Sequence, residues 1–132
     1  MSPKLLALDR VLAIEPGECA RALRNVPNTL SLFDSHFPLR PVLPGVLVLG
    51  SMGELARALL AHSPGGAWRL AGAERVRYRQ FVQPGDQMEI EVRMREQTSG
   101  EAVLGATVRV EDKVVTTARA LRMVRTGDGD RS

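Results

Sequence analysis

Cysteine is almost missing from this chain: Cys19 stands alone among 132 residues. A single cysteine excludes a disulfide framework and a cysteine metal cluster. Aromatic residues are nearly as scarce, with three Phe, one Trp and one Tyr. That leaves little for base stacking, and a net charge of +3 is mild for a nucleic-acid binder, so no nucleic-acid partner is expected. Long apolar runs are lacking too, since no segment reaches the ~18 residues that span a bilayer. The opening "MSPKLLALDRVLAIEPGE" holds an apolar stretch, but Asp9 and Arg10 interrupt it and no small-residue cleavage site follows. Neither a signal peptide nor a membrane association is expected, and the cytoplasm is the default location.

What is present reads as one globular domain. Hydrophobic residues make up 44% of the chain and charged residues 25%, ordinary values for a single core. The domain is expected over residues 1–125, followed by a disordered polar tail over 126–132. "LLALDRVLAIEPG" and "ECARALRNV" suggest a hairpin turning at "EPGE". A proline-punctuated stretch follows, extended or looped. From Val46 to about His62 the spacing of Leu47, Leu55, Ala58 and Leu59 predicts a helix. Its Gly50, Ser51, Gly53 and Ala56 are small. Each glycine costs about 1 kcal/mol against Ala in an exposed helix and is better tolerated in a buried one packed at close range.

Strand patterns fill the rest. "WRLAGAERVRYRQFV" runs to a turn at Gln83–Asp86, and "QMEIEVRMREQ" alternates Met88, Ile90, Val92 and Met94 with Glu89, Glu91, Arg93 and Arg95. "AVLGATVRVEDKVVTTARALRMV" breaks at a hairpin turn over Glu111–Lys113. The expected class is therefore α+β, an antiparallel sheet wrapped around one long central helix. Such a sheet leaves an edge strand bare, and pairing with a second copy would cover it.

Chemistry concentrates in "DSHFPLRPVLPGVLVLGSMGELARALL", residues 34–60. A proline-pinned histidine stands just upstream of the most apolar helix, a layout that suits a histidine base facing a helix N-terminus. "LGSMGE" superficially resembles the nucleophile elbow G-x-S-x-G, but it reads G-S-M-G inside a helix, so a serine hydrolase is not expected. His62, beside Ser63-Pro64-Gly65, reads as an ordinary loop residue.

The run "HFPLRPVLPGVLVLG" resembles the signature of the β-hydroxyacyl-acyl carrier protein dehydratases (FabZ-like). "DRVLAIEPGE…ARALRNV" and "RVRYRQFVQPGDQMEIEV" extend the likeness from about Leu6 to Val124. The resemblance implies the hot-dog fold and a dimer, with each active site shared between subunits. It also implies loss of water from a carrier-bound β-hydroxyacyl thioester to give the trans-2-enoyl thioester, in fatty acid or polyketide biosynthesis. His36 would be the base, oriented by Phe37 and Pro38, and Gly45 would aim its N–H at the thioester oxygen, with Val46 beside the substrate. No metal or bound cofactor is implied, because the acyl group arrives on the phosphopantetheine of an acyl carrier protein.

Two positions depart from the family's pattern. Leu39 replaces the glycine of its HFPG, and Gly50 stands where the catalytic acid is expected, fourteen residues after the histidine. Glu54, one turn on, could substitute as the acid. Alternatively, a second hot-dog subunit could supply it in a heterodimer, or the chain could be a non-catalytic partner subunit. A hot-dog acyl thioesterase, relying on the Glu54 carboxylate, is the competing enzyme class. Glu54 could equally be a solvated helix residue. Arg75, Arg77 and Arg79 alternate and so share one strand face, where they could contact a phosphopantetheine phosphate or an acidic carrier protein, or simply face solvent.

Overall fold

The computed structural model describes residues 8–26, 43, 45–61 and 67–126. The expected tail over 127–132 lies outside them. Strands β1 (Arg10–Glu15) and β2 (Cys19–Asn25) form the first hairpin, with Gly17 at φ 79° in its turn. Only glycine takes that left-handed conformation without steric cost. Helix α1 (Gly45–Leu60) comes next, within a residue or two of its expected bounds. It is followed by β3 (Ala67–Tyr78), β4 (Gln87–Gln97), β5 (Glu101–Val110) and β6 (Lys113–Thr126).

The six strands make one antiparallel sheet in the order β1-β2-β4-β5-β6-β3. The pattern of β4 explains its position. Met88, Ile90 and Val92 are buried on one side, while Glu89, Glu91 and Arg93 point to the other. Their neighbours across the ladder follow suit, Ile90 opposite Val108 and Val92 opposite Ala106. This apolar side takes the helix, whose Leu47, Val48, Met52, Leu55, Ala56 and Leu59 are buried. The close approach depends on Gly53: a Cβ there would stand 3.2 Å from Cδ2 of Leu70 on β3. Among the described residues, no helix is long and apolar enough to cross a membrane.

β3 ends earlier than its sequence pattern predicts, at Tyr78 instead of near Val82. The amides of Arg79 and Gln80 both reach the Val115 carbonyl, at 2.7 and 3.3 Å, which takes the chain out of the regular ladder. The Gln83–Asp86 turn is where it was expected. Its Asp86 amide donates to the Gln83 carbonyl (3.0 Å), and the Gln83 amide donates to the Asp86 carboxylate (2.8 Å).

The β5–β6 turn has Glu111 at φ 53° and Asp112 at φ 69°. Positive φ at both central residues is the type I′ hairpin geometry, which Asn-Gly fits best. Replacing both, Glu111→Asn with Asp112→Gly, is expected to raise unfolding stability by about 1 kcal/mol, because L-residues with larger side chains are strained there. Urea denaturation with an unchanged m-value checks this, and an unchanged or lower midpoint would refute the strain.

Candidate active site

Gly45 opens α1, and the first four amides of a helix have no acceptor within it. The first turn is Gly-Val-Leu-Val and contains no acidic side chain, so none of its own carboxylates competes for the positive end of the dipole. The segment leading into it is tied to the sheet, since the Leu43 amide donates to the Val82 carbonyl at 2.6 Å. Tyr78, at the end of β3, lies over the helix start, and its hydroxyl donates to the Gly45 carbonyl at 3.1 Å.

The same ring explains why position 45 is glycine. A Cβ there would stand 2.7 Å from Cζ and 2.9 Å from Cε1 of Tyr78, closer than such atoms ever come. An alanine would push the ring away and turn the amide. Around this point the surface is apolar and open, with Val46 70% and Phe81 69% exposed. Partial burial raises the Tyr78 pKa above the ordinary tyrosine value of 10.0.

His36 and Phe37, the expected base and its neighbour, lie outside the described residues, as do Leu39 and His62. Gly45 and Val46 stand together at the helix start, as the motif implied. Glu54 stands apart from them. Nine residues of helix separate it from Gly45, which is ~14 Å along the axis. Its carboxylate pairs with Arg57 at 3.1 Å and borders a groove of about 310 Å³ shared with Ala58, Ala61, Ala67 and Trp68. Arg75, Arg77 and Arg79 do come together, lining one groove on the outer side of the sheet. The reason is not simple alternation, because Arg75 has φ 52°.

Two polar residues of this inner region, Arg24 and Thr116, were not singled out from sequence, and Ser51 was named there only to set a nucleophile elbow aside. Arg24 on β2 is 2% exposed and donates to the Ser51 hydroxyl at 2.6 Å, and Ser51 is itself fully buried. Burial lowers the Arg24 pKa, and the charge of Asp9 partly opposes that shift. Thr116, opposite Tyr78 across the β3–β6 ladder, is buried with its hydroxyl unpartnered among the described residues. An arginine in "CARALRN" offers no cue to its burial except its place among inward-facing Ala20, Ala22 and Val26.

The comparisons with known proteins agree with this picture. The family described as FabA-like domain matches residues 1–119. The 3-hydroxyacyl-[acyl-carrier-protein] dehydratase FabZ of Shewanella oneidensis is 38% identical over 124 residues, covering 88% of this chain and 80% of the relative. Its counterpart from Shewanella woodyi is 37% identical over 122 residues, with the same shares covered. Among solved structures, the dehydratase heterocomplex ApeI:P from Xenorhabdus doucetiae superposes with a TM-score of 0.75 at 14% identity. That match covers 99% of this chain and 90% of the other. The PaaI protein of E. coli, from the phenylacetic acid degradation operon, gives 0.72 at 17% identity, over 95% and 83%. At such identities the likeness shows the fold, which is the hot-dog arrangement of a sheet around one helix.

Tyr78 is the one tyrosine of the chain, so its ionisation can be followed directly by absorbance near ~295 nm. The titration is expected to centre above 10.0 and to vanish in Tyr78→Phe. The sign for stability follows. The unfolded chain releases this proton first, so stability falls as pH rises through 10.0 and levels off above the folded value. A midpoint at or below 10.0 would mean that the ring does not rest on the helix start. Separately, Ser51→Ala is expected to cost about 1–3 kcal/mol, because it removes the hydroxyl that a buried guanidinium bonds. Chemical denaturation reads this directly, and a cost below ~0.5 kcal/mol would show that the Arg24–Ser51 bond contributes little.

Proposed function

The chain belongs to the FabA-like family, and on that premise we propose that it is a dehydratase acting on carrier-bound 3-hydroxyacyl thioesters. The observation that carries this reading is the start of α1. An amide at a helix N-terminus, on a glycine held under the Tyr78 ring, is positioned to stabilise negative charge. Dehydration places such charge on the thioester oxygen. A base removes the Cα proton, the electron pair forms the Cα–Cβ double bond, and the hydroxyl leaves Cβ as water after taking a proton from an acid. His36 is the base in this reading, Gly45 holds the developing oxyanion, and Phe37 and Val46 border the acyl chain.

The acid does not come from this helix. Gly50 has no side chain to donate a proton. Glu54 pairs with Arg57 and lies one turn, ~6 Å, beyond position 50 along the axis. We therefore assign the acid to a partner subunit, a second hot-dog chain that completes the site built on His36. The apolar surface of Val46, Tyr78 and Phe81 beside the site is suited to burial against such a subunit. The pairing of Glu54 with Arg57 argues against a thioesterase, which would need a free carboxylate beside the thioester. The reaction runs without metal or bound cofactor, in the cytoplasm. The substrate arrives on the phosphopantetheine of an acyl carrier protein.

The test is hydration of a short trans-2-enoyl carrier thioester, followed by the mass gain of one water. The chain alone is expected to be nearly inactive. Gly50→Glu should raise its rate by about 10²-fold or more, the range a positioned general acid contributes, while Gly50→Gln should not. Glu54→Gln should leave the rate of the Gly50→Glu protein within about twofold, and His36→Ala should abolish it. Full activity of the unmodified chain that disappears in Glu54→Gln would overturn the assignment of the acid. Release of free acid in place of hydrated product would overturn the reaction class.

A further inference from the structure

The outer side of the sheet holds the strongest charge concentration among the described residues, in a groove of about 560 Å³. Arg75, Arg77 and Arg79 line it from β3 and the residue after it, Arg93 and Arg95 from β4, and Arg119 from β6. Glu91 is the one acid of the lining, and it already lies 3.1 Å from Arg93 and 3.4 Å from Arg109. Six arginines against one glutamate leave a surplus of five positive charges, more than the net +3 of the whole chain. Among the described residues no ion pair engages Arg75, Arg77, Arg79, Arg95 or Arg119.

The groove is built at some cost to the backbone. Ala73 and Val76 both pack toward the core although they are three residues apart, opposite Leu121 and Ala118 of β6. Simple alternation would turn one of them outward. The β3–β6 ladder keeps its register through this point, and Arg75 makes the change of face by taking φ 52°, a left-handed conformation unusual for an arginine. Strain of this kind tends to mark functional positions. The floor is fitted as well: Gly105 lies under Arg95, and a Cβ there would stand 3.1 Å from its Nε. Thr107 and Thr117 add hydroxyls.

We propose that this groove is a binding site for a nucleotide-sized polyphosphate. Guanidinium groups pair with phosphate oxygens through two parallel hydrogen bonds, and several unpaired ones brought to one place call for several phosphates. The single phosphodiester of phosphopantetheine carries one charge and leaves most of the surplus unmatched. The groove volume also lies in the ordinary range for small-molecule pockets. It opens on the side of the sheet away from α1, so its ligand is not the reacting acyl group. The inference does not rest on the dehydration reading, because binding is measured without substrate or turnover. The polyphosphate has two sources that share this chemistry, the adenosine phosphates of a coenzyme thioester and a free nucleotide.

The test is calorimetry and thermal unfolding of the intact protein with inorganic tripolyphosphate, ATP or coenzyme A, each against NaCl of equal ionic strength. Saturable tripolyphosphate binding is expected, at least about tenfold tighter than orthophosphate, with a rise in Tm. Arg77→Ser with Arg119→Ser should weaken it by about tenfold or more. Arg75→Gly should weaken it while leaving the ligand-free Tm unchanged or higher, which a purely structural arginine would not do. Tighter coenzyme A than ATP identifies the coenzyme source, and the reverse identifies free nucleotide. A Tm rise no larger than with NaCl, or binding unaffected by the arginine substitutions, would overturn the proposal. So would displacement of tripolyphosphate by polyglutamate at equal charge, which would make the groove a surface for an acidic protein.

Discussion

The distance between α1 and β3 governs the rest of the molecule. Two glycines set it, Gly45 against the ring of Tyr78 and Gly53 against Leu70. Both contacts fall on one strand, in opposite chain directions, so the helix is located along its length by side chains of β3. Closer approach is blocked by those side chains, and a Cβ at either glycine would force them to shift. This spacing buries the apolar face of α1 on Met88, Ile90, Val92 and their cross-strand neighbours, and apolar area removed from water is the main favourable term in folding. It also fixes where the free amide at the start of the helix points. Stability and the proposed oxyanion site thus depend on the same contact.

Much of this arrangement is legible in the sequence because it is local. The two-residue period of β4, the Pro-Gly turns and the helical spacing after Val46 each follow from backbone geometry within a few residues. What could not be read is non-local. Tyr78 resting on Gly45 joins positions 33 apart, and Arg24 meeting Ser51 joins positions 27 apart. The alternation of Arg75, Arg77 and Arg79 pointed correctly to a shared side but for an incomplete reason. A left-handed residue at Arg75 changes the face of the strand between Ala73 and Val76, and no period in the sequence signals it. Arg93 and Arg95 fell on the polar side of the β4 alternation and Arg119 was not singled out, and their convergence with the first three appears only once β4, β5, β6 and β3 are ordered side by side. Of the candidate site, the motif located the helix start, while the partners that shape it came from the other end of the chain.

The sheet therefore works as a divider. Its inner side is apolar, and the polar groups buried there among the described residues include a guanidinium on one serine and a threonine hydroxyl. In that low-dielectric setting a single N–H counts for more than it would in water. The outer side is wet, and its charges are numerous and individually weak. Arginines there influence an anion only by acting together. The same alternation that puts Ile90 and Val92 inward puts Glu91 and Arg93 outward, so one strand pattern serves both sides.

Gly50 fits this division. Gly50 is half-buried, one turn before the Glu54–Arg57 pair, and a carboxylic acid there would carry a desolvation penalty once a partner subunit covered it, offset only where catalysis or a partner charge requires it. Arg24 already places one charge in this core, and its depressed pKa shows that burial outweighs the help of Asp9. A subunit whose site is completed by another chain gains nothing from a second such charge, and glycine removes the penalty. The amide of Gly45 brings no such penalty, since it belongs to the backbone and exists in any helix that starts there. Losing the acid while keeping the helix start is therefore the expected outcome for a chain that shares its active site.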